Sequence, residues 1–222
     1  MIKLERSSAV YVDHMGSDKT VVNAARVSFS ADNIEVPFNE KDKKLISYLA
    51  KHNHWSPFAH TSVQLKITAP IFIARQLVKH QVGGVWNEVS RRYVSYEPSF
   101  FDMGVWRGKP VNAKQGSTGV VEDQDACDDL MIKCYEACND TYNKLLDIGV
   151  CPEQARAMLP LGSMTEWYWT GSLMFWARVC NQRIDGHAQN EAEEVARAIS
   201  PICEKLFPIS WKALMDQTTS TQ

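Results

Sequence analysis

The feature that most constrains the fold is a run of strictly alternating side chains over residues 61–69. Its apolar members all fall on one face, and they are Val63, Leu65 and Ile67. A period of two is typical of a β-strand with one buried face. Pro70 follows at once and ends the strand. Because proline suits the first turn of a helix, we predict a helix from Ile71 to about His80.

The segment from Glu122 to Ile148 is predicted to be one long helix, stopped by Gly149 and followed by a restart at Pro152. Small and apolar side chains recur in it at steps of three and four, which predicts a buried stripe. The stripe consists of Ala126, Leu130, Cys134, Cys138, Thr141, Leu145 and Ile148. A shorter amphipathic helix is predicted from Lys43 to His52. Its inward side chains are Leu45, Ile46 and Leu49.

The last third of the chain is predicted to be helical. Thr165 to Cys180 is apolar on nearly every side, which predicts a single buried helix. Ala188 to Leu206 is predicted to be the final helix, kinked or split by Pro201. Strands in the early and middle parts, followed by helices, indicate the α+β class.

The size and composition favour a globular protein. A chain of 222 residues and 25.1 kDa predicts one domain over residues 1–222, with a surface loop at 102–123 and a frayed tail at 216–222. An apolar content of 45% excludes disorder as the main state. No stretch approaches the roughly 20 apolar residues of a membrane-spanning helix. The charged residues 1–15 lack the apolar core of a signal peptide, so we expect a cytoplasmic protein.

Six cysteines are present, and none forms a CxxC pair. They are Cys127, Cys134, Cys138, Cys151, Cys180 and Cys203. We expect the first three to be buried small side chains along one helix, with a thiolate nucleophile or a metal site as the alternative. The pattern suits a reducing compartment.

Three histidines lie close together in the segment 51–60, beside a proline turn. They are His52, His54 and His60. A zinc site often includes a nearby carboxylate or cysteine, and the segment contains no acidic residue. We therefore expect hydrogen-bonding histidines at a turn or ligand pocket rather than metal ligands.

Polar and cationic side chains crowd a second segment, residues 75–93. Gly83 and Gly84 break the preceding helix and let the backbone approach a ligand. The side chains that follow are Asn87, Glu88, Ser90, Arg91 and Arg92. Arginine offers fork geometry for a phosphate, and Glu88 can accept from a ribose hydroxyl or a base N–H. The alternative is a solvated charged loop.

A third segment contains several arginines and few acids. Arg156 precedes the sequence Ala157 to Leu161, and Arg178 and Arg183 follow later. We expect Arg178 to be buried on an apolar helix, where a guanidinium needs a carboxylate, a phosphate or carbonyl partners. Together these arginines indicate an anionic small ligand, with a structural ion pair as the alternative for Arg178. Four aromatic side chains offer flat surfaces for a base or a flavin ring, namely Trp86, Trp167, Tyr168 and Trp169.

Six ordered blocks of this sequence resemble the flavin-dependent thymidylate synthase (ThyX) family. The blocks are residues 25–29, 54–60, 69–76, 87–93, 156–161 and 183–191. Residues 69–76 read Ala-Pro-Ile-Phe-Ile-Ala-Arg-Gln, against the family's APIFVARQ, and residues 87–93 are similar to its NExSxRY. The sequence departs from the family where the signature Arg-His-Arg is Lys79-His80-Gln81 and eight residues instead of seven precede Ser90.

The resemblance implies an α+β fold with a central antiparallel sheet and segregated helices. It implies reductive methylation of dUMP to dTMP, with methylenetetrahydrofolate as carbon donor and NADPH as reductant through bound FAD. It further implies a homotetramer with sites shared between subunits, and no metal.

The resemblance also implies site residues. The residues that would bind dUMP are Gln76, Lys79, Glu88, Ser90, Arg91, Arg92, Arg156 and Arg183. The residues that would line FAD are His54, Ser56, Lys79, His80, Gln81, Glu88, Ser172, Leu173, Met174, Arg178 and His187. Arg183 would be catalytic, because a guanidinium against the uracil favours ionisation at N3 and makes C5 a better carbon nucleophile.

Three other functions stay open at this level. The first is a metal-dependent nucleotide hydrolase or deaminase that uses His52, His54, His60 or His80. The second is a degenerate relative that binds flavin or nucleotide without catalysis, which the Lys79-His80-Gln81 triplet suggests. The third is a nucleic-acid-binding module, which a net charge of −2 and the lack of a basic run disfavour.

Overall fold

The structure is a computed structural model, and it describes residues 2–29, 37–110, 116–184 and 188–216. The strands are β1 (Lys3–Glu5), β2 (Ser8–Met15), β3 (Ser62–Pro70), β4 (Gly84–Glu88), β5 (Ser99–Phe101), β6 (Arg107–Gly108), β7 (Thr118–Val120) and β8 (Met164–Gly171). The helices are α1 (Asp18–Arg26), α2 (Glu40–Lys51), α3 (Ile71–Leu77), α4 (Gln124–Asp147), α5 (Pro152–Ala155), α6 (Leu173–Arg183), α7 (Asn190–Leu206) and α8 (Pro208–Met215). Among these helices, none combines the length and the apolar character needed to span a membrane.

The chain divides into two compact units. Unit 1 comprises Met1–Ser8, Thr68–Val78 and Glu88–Trp167, and unit 2 comprises Ala9–Ile67, Lys79–Asn87 and Tyr168–Gln222. Helices α3, α4 and α5 therefore belong to unit 1, and the remaining five helices belong to unit 2.

A four-stranded sheet has the order β2-β3-β8-β4. Strands β3 and β8 are antiparallel, because the Gln64 side chain contacts Thr170 whereas the Ile71 N–H bonds the Ser163 carbonyl, so numbers rise on one strand as they fall on the other. The predicted α+β class with an antiparallel sheet is confirmed.

Strand β3 has the predicted alternation. Val63, Leu65, Ile67 and Ala69 are fully buried, whereas the side chains between them are half-buried. Pro70 ends the strand, as predicted, and it occupies the cap position before the next helix rather than the first turn of that helix. That helix ends at Leu77, however, three residues before the predicted end at His80.

The prediction of one helix over 165–180 is wrong in its first half, which forms β8. Burial alternates there, with Thr165, Trp167 and Trp169 buried and Glu166 and Tyr168 less so. Threonine and aromatic residues favour a pleated, half-buried surface over a helix. Helix α6 begins only after Ser172, whose Oγ accepts the Phe175 N–H at 3.2 Å.

The long helix is confirmed as α4, but its predicted buried face is wrong by about one residue. The buried side chains are Met131, Tyr135 and Tyr142, whereas Leu130 is 68% and Ile148 77% exposed. Cys134 is also exposed, and Cys127 and Cys138 are only half-buried, which corrects the predicted burial of these thiols. Tyr135 stacks on Phe100 with ring centroids 4.8 Å apart. Larger side chains remove more apolar area from water when they are buried, so they determine which face of α4 points inward.

Segment 102–123 is not loop throughout, because β6 and β7 pair in it as a short antiparallel ladder. Its described residues are all exposed or half-buried, as a surface segment should be. In unit 2, α7 runs through Pro201 without a break, and α8 follows as a helix that the sequence did not predict. Of the predicted frayed tail, residues 217–222 lie outside the described residues.

Candidate active site

His80 and Arg183 form a hydrogen-bonded side-chain pair in unit 2. The Arg183 Nε–H donates to Nε2 of His80 at 3.1 Å, across 103 residues of sequence. Both side chains are half-buried. Burial, and secondarily the positive charge of Arg183, lowers the pKa of His80 to about 4. The imidazole is therefore neutral at physiological pH, which is what an acceptor at Nε2 requires.

Aromatic rings lie beside the His80 member of this pair. The His80 and Trp169 ring centroids lie 6.5 Å apart. Trp169 in turn makes edge-on contacts with Trp86, Phe175 and Trp176, at centroid distances of 5.2, 5.2 and 5.0 Å. Trp169 is 1% exposed, so the rings form a packed wall rather than a free stacking surface. We call His80, Trp169 and Arg183 the Arg183 cluster.

Two glycines are necessary for this wall. A Cβ at Gly84 would lie 2.5 Å from the Phe175 ring, and one at Gly171 would collide with the same ring. Gly83 adopts a positive φ of 85°, which few other residues tolerate. Gly84 therefore makes room for Phe175, which the sequence did not indicate, whereas the predicted helix break at Gly83 and Gly84 is wrong because α3 already ends at Leu77.

The residues predicted to line FAD differ in exposure. Ser172 caps α6, Leu173 is fully buried and donates its N–H to Thr61 Oγ1 at 3.2 Å, and Met174 is half-buried. Six side chains are exposed, namely His54, Ser56, Lys79, Gln81, Glu88 and Arg178. The expected burial of Arg178 is thus wrong, because the residue lies on the solvent face of α6. His187 lies outside the described residues.

The histidine-rich segment is a surface feature. His52 and His54 are exposed, and both ring planes lie near Tyr48, at centroid distances of 4.3 and 6.0 Å. Within the described ranges, no three histidine, cysteine or carboxylate side chains group closely enough to hold a metal ion.

The predicted nucleotide residues of unit 1 lie mainly in residues 88–93, which we call the Glu88 loop. Its first side chain is held by a partner that the sequence did not reveal: Thr165 Oγ donates to Glu88 Oε1 at 2.8 Å. The Val89 N–H bonds the Glu166 carbonyl at 2.9 Å, and this pairing of β8 with the end of β4 brings Thr165 to Glu88. The contact between Thr165 and Glu88 could not be predicted from the sequence, because it depends on the pairing of the two strands.

The arginines of the Glu88 loop are held by local contacts. Arg91 donates to the Tyr96 carbonyl at 2.9 Å, and its guanidinium lies 4.7 Å from the centroid of the Tyr96 ring. Arg92 donates from Nε to Ser90 Oγ at 3.2 Å and lies over the ring of Tyr93, which is 76% exposed. These contacts are close to solvent, so a ligand can replace them at small cost.

Two further predicted residues also belong to unit 1. Gln76 is half-buried on α3. Arg156 is exposed directly after α5, and its Nε donates to the Glu153 carbonyl at 3.2 Å. The residues predicted to bind dUMP therefore belong to both units. Lys79 and Arg183 belong to unit 2, and the others belong to unit 1.

Residues 11–209 match the family described as thymidylate synthase complementing protein. A flavin-dependent thymidylate synthase of Thermus thermophilus is 36% identical over 95% of this chain and 76% of its own length. The chain belongs to the flavin-dependent thymidylate synthase family. It is accordingly a member of an enzyme family.

Other relatives are similar over most of their length. A flavin-dependent thymidylate synthase of Thermosipho africanus is 36% identical over 96% of this chain and 92% of its own. Among solved structures, the UMP/dUMP methylase PolB of Streptomyces cacaoi, bound with 5-Br dUMP, has a TM-score of 0.88 at 28% identity over 97% of both chains. The same enzyme bound with 5-Br UMP has a TM-score of 0.85 at 27% identity, over 98% of this chain and 97% of its own.

Proposed function

We propose that this enzyme reductively methylates dUMP to dTMP, with methylenetetrahydrofolate as carbon donor and NADPH as reductant through bound FAD. The match of residues 11–209 to one family carries the proposal, and the likeness to a dUMP methylase over nearly the whole chain supports it. The same continuous match supports a single functional domain across both compact units.

The exposed donors of unit 2 fit FAD. A pyrophosphate needs cations and hydrogen-bond donors close to solvent, and Lys79, Arg178, Ser56 and Gln81 provide both chemical types on exposed side chains. We assign the flavin to these residues, together with His54, His80, Glu88, Ser172, Leu173, Met174 and His187. When bound, FAD supplies the hydride chemistry that links NADPH to the new methyl group.

The Glu88 loop is proposed to hold the nucleotide. The guanidinium groups of Arg91, Arg92 and Arg156 suit a phosphate, because each offers several donors in a planar fork. Ser90 adds a hydroxyl. The Glu88 carboxylate, oriented by Thr165, can accept from a sugar hydroxyl or a base N–H. Gln76 and Lys79 complete the proposed set.

Arg183 is proposed to act on the base. A fixed positive charge beside the uracil stabilises negative charge that develops on deprotonation at N3. The deprotonated base is richer in electrons at C5, where the carbon–carbon bond forms. The bond to His80 holds the guanidinium before the nucleotide arrives, so little reorganisation is needed at the moment of reaction.

The test is formation of dTMP by the purified protein supplied with dUMP, methylenetetrahydrofolate, NADPH and FAD. We expect product only when all four are present, and a change in the visible flavin spectrum when FAD is titrated into the protein. A protein that binds FAD but makes no dTMP would instead be the degenerate relative. A protein that leaves the flavin spectrum unchanged would contradict the proposed cofactor.

Methylation of UMP is a second candidate function. It is favoured by PolB, whose structures contain both 5-Br dUMP and 5-Br UMP and share this fold with TM-scores of 0.88 and 0.85. Turnover measured with dUMP and UMP in competition separates the two candidates. Product from dUMP alone would exclude the second.

We also propose a homotetramer in the cytoplasm, with sites completed by neighbouring subunits. Leu130 on α4 and Ile148 directly after it are exposed apolar side chains, and each would gain from burial against a partner subunit. Light scattering should give about four times the chain mass of 25.1 kDa. An active species at the mass of one chain would contradict this proposal.

A further inference from the structure

We propose that Glu97 is a positioning residue: two asparagine amides of α4 hold its carboxylate, and this anchor fixes the Arg91 guanidinium for the phosphate of the nucleotide. We call Glu97, Asn139 and Asn143 the Glu97 clamp. Glu97 lies four residues after the end of the Glu88 loop, and all of these residues belong to unit 1. The inference rests on the proposed function in one respect, namely that Arg91 binds a nucleotide phosphate.

The clamp joins both oxygens of one carboxylate to one face of α4. The Nδ2 group of Asn139 donates to Oε1 of Glu97 at 2.5 Å, and that of Asn143 donates to Oε2 at 3.3 Å. Residues four apart are neighbours on a helix surface, so the two amides suit the two oxygens. A carboxylate can only accept, and the Asn139 amide turns its N–H group toward it, although the Asn139 Oδ1 is then buried with no hydrogen-bond partner among the described residues. Glu97 therefore sets the orientation of this amide.

A second contact places the same segment along α4. Phe100 stacks on Tyr135 with ring centroids 4.8 Å apart. Three residues of extended chain, from Glu97 to Phe100, span about 10 Å. The helix rises about 9 Å from Tyr135 to the midpoint of the two asparagines. The two contacts therefore fit one straight run of chain across α4, and the buried Pro98 between them disfavours a helical conformation at Glu97.

The anchored segment contains the acceptor of Arg91. The Nη1 group of Arg91 donates to the Tyr96 carbonyl at 2.9 Å, and the guanidinium lies 4.7 Å from the centroid of the Tyr96 ring. That carbonyl belongs to the planar peptide unit that joins Tyr96 to Glu97, so the clamp holds the peptide that accepts from Arg91. Arginine has five N–H donors in a planar fork, and the bond to Tyr96 uses one of them. The clamp thus acts on the nucleotide phosphate through Arg91.

The first test compares Glu97→Ala with Glu97→Gln, which keeps one acceptor oxygen. In calorimetry, Glu97→Ala should bind dUMP about tenfold more weakly than wild type, the scale of the rotamer freedom that a released arginine loses on binding. Its kcat should stay within about twofold of wild type, and Glu97→Gln should bind with intermediate affinity. Asp140→Ala is the control, because it removes a carboxylate of the same helix that pairs with Lys144, and it should change neither quantity. Unchanged dUMP binding in Glu97→Ala would overturn the inference.

A double-mutant cycle with Arg91→Ala separates positioning from a merely structural role. Because the clamp acts through Arg91, Glu97→Ala should weaken dUMP binding no further in the Arg91→Ala background. Deoxyuridine, which lacks the phosphate, should bind equally to wild type and to Glu97→Ala. Additive losses in the cycle, or a loss for deoxyuridine as large as that for dUMP, would contradict the role assigned to Glu97.

A measurement without nucleotide separates this inference from the proposed function. Nitrogen NMR of the ligand-free protein should show restricted rotation of the Arg91 guanidinium, and the restriction should be lost in Glu97→Ala. If wild type does not bind dUMP, the proposed nucleotide site fails, while the NMR signals still decide whether Glu97 orders Arg91. Signals that are the same in wild type and Glu97→Ala would show that it does not. If Glu97→Ala does not fold, the double variant Asn139→Ala/Asn143→Ala removes both donors instead and should give the same losses.

Discussion

The Arg183 cluster and the Glu88 loop both present arginines, but they do so in opposite environments. Arg183 is half-buried and bonds to the neutral imidazole of His80, which in turn lies near Trp169, a side chain that is 1% exposed. Arg91 and Arg92 bond to a carbonyl and a hydroxyl near solvent, over exposed tyrosines. A cation fixed in a poorly solvated place acts strongly on developing charge, whereas a solvated cation contributes mainly binding. We therefore propose chemistry for the Arg183 cluster and anchoring for the Glu88 loop.

The largest expected effect comes from removing the fixed cation. Arg183→Ala should lower kcat by about 10²–10³-fold, because a preorganised charge contact with the transition state is lost. Arg183→Lys should restore little, since a point charge can neither bond His80 in the same way nor copy the planar fork. Steady-state kinetics with varied dUMP measures both.

Arg197→Ala is the matched control for this experiment. Arg197 lies on α7 in the same unit and makes an exposed ion pair with Glu193, which contributes little to stability. It should leave kcat unchanged. If Arg183→Ala turned over at a rate near that of wild type, chemistry would have to be assigned elsewhere and the comparison between the two regions would fail.

The next largest effect should follow from disturbing the aromatic wall. Gly171→Ala places a methyl group against the Phe175 ring, which is 3% exposed and cannot move freely. We expect a loss of about 1–3 kcal/mol in the free energy of unfolding, measured by urea titration. Adding Phe175→Leu should recover part of this loss, since the smaller side chain accommodates the methyl group. Strictly additive losses in the double variant would show that the collision is not the cause.

The sequence predicted some of these elements and missed others for identifiable reasons. Strand β3 was predictable because polar and apolar residues alternate from Ser62 to Ala69. Strand β8 was not, because Trp167, Tyr168 and Trp169 are all large and aromatic, and only the structure shows which of them are buried. The face of α4 depends on the contact between Tyr135 and Phe100, which no local pattern contains.

The candidate site shows the same limit. Family-like motifs identified His80 and Arg183, but a separation of 103 residues gave no sign that they bond to each other. Arg178 was predicted to be buried because its neighbours on α6 are apolar, but its own position on the helix faces solvent. Motifs therefore predicted candidate site residues, whereas the burial and pairing of those residues came from tertiary structure.

A smaller effect is expected from removing the hydrogen bond that Thr165 donates to Glu88. Thr165→Val removes the hydroxyl that donates to Glu88 and keeps the size of the side chain. Loss of one such bond costs about 0.5–1.5 kcal/mol, so dUMP should bind roughly three- to tenfold more weakly, with little change in kcat. Thr170→Val on the same strand, which loses only its contact with Gln64, is the control. A fall in kcat without weaker binding would place chemistry in the Glu88 loop.

The shielding of His80 also predicts how the stability of the protein depends on pH. An unfolded histidine has a pKa of about 6.5, whereas His80 in the folded protein has a pKa of about 4. Between these values the unfolded chain binds more protons than the folded one, so His80 makes the free energy of unfolding decrease as the pH falls from about 6.5 toward 4. His80→Gln should reduce this slope when unfolding is measured at pH 7, 6 and 5. Identical slopes would show that His80 is not shielded as the structure indicates.

The smallest effect should come from the cysteines, since neither region contains an activated thiol. Cys180 lies on α6, three residues before Arg183, but it is fully buried, and burial raises the pKa of its thiol well above the ordinary value. Burial likewise raises the pKa of Cys203. Cys151 is exposed five residues before Arg156, and nothing in the described contacts activates it.

We therefore expect each of the six Cys→Ser variants to retain turnover within about twofold, the scatter of surface substitutions, apart from losses caused by unfolding at the buried positions. The measurement is dTMP formation by each variant after its folding and its flavin content have been checked. Cys151→Ser is the most informative of the six, because an exposed thiol can be removed without disturbing a core. If a folded, flavin-loaded Cys151→Ser variant made no dTMP, a thiol would take part in the reaction. The division between a chemical Arg183 cluster and an anchoring Glu88 loop would then have to include a nucleophile in unit 1.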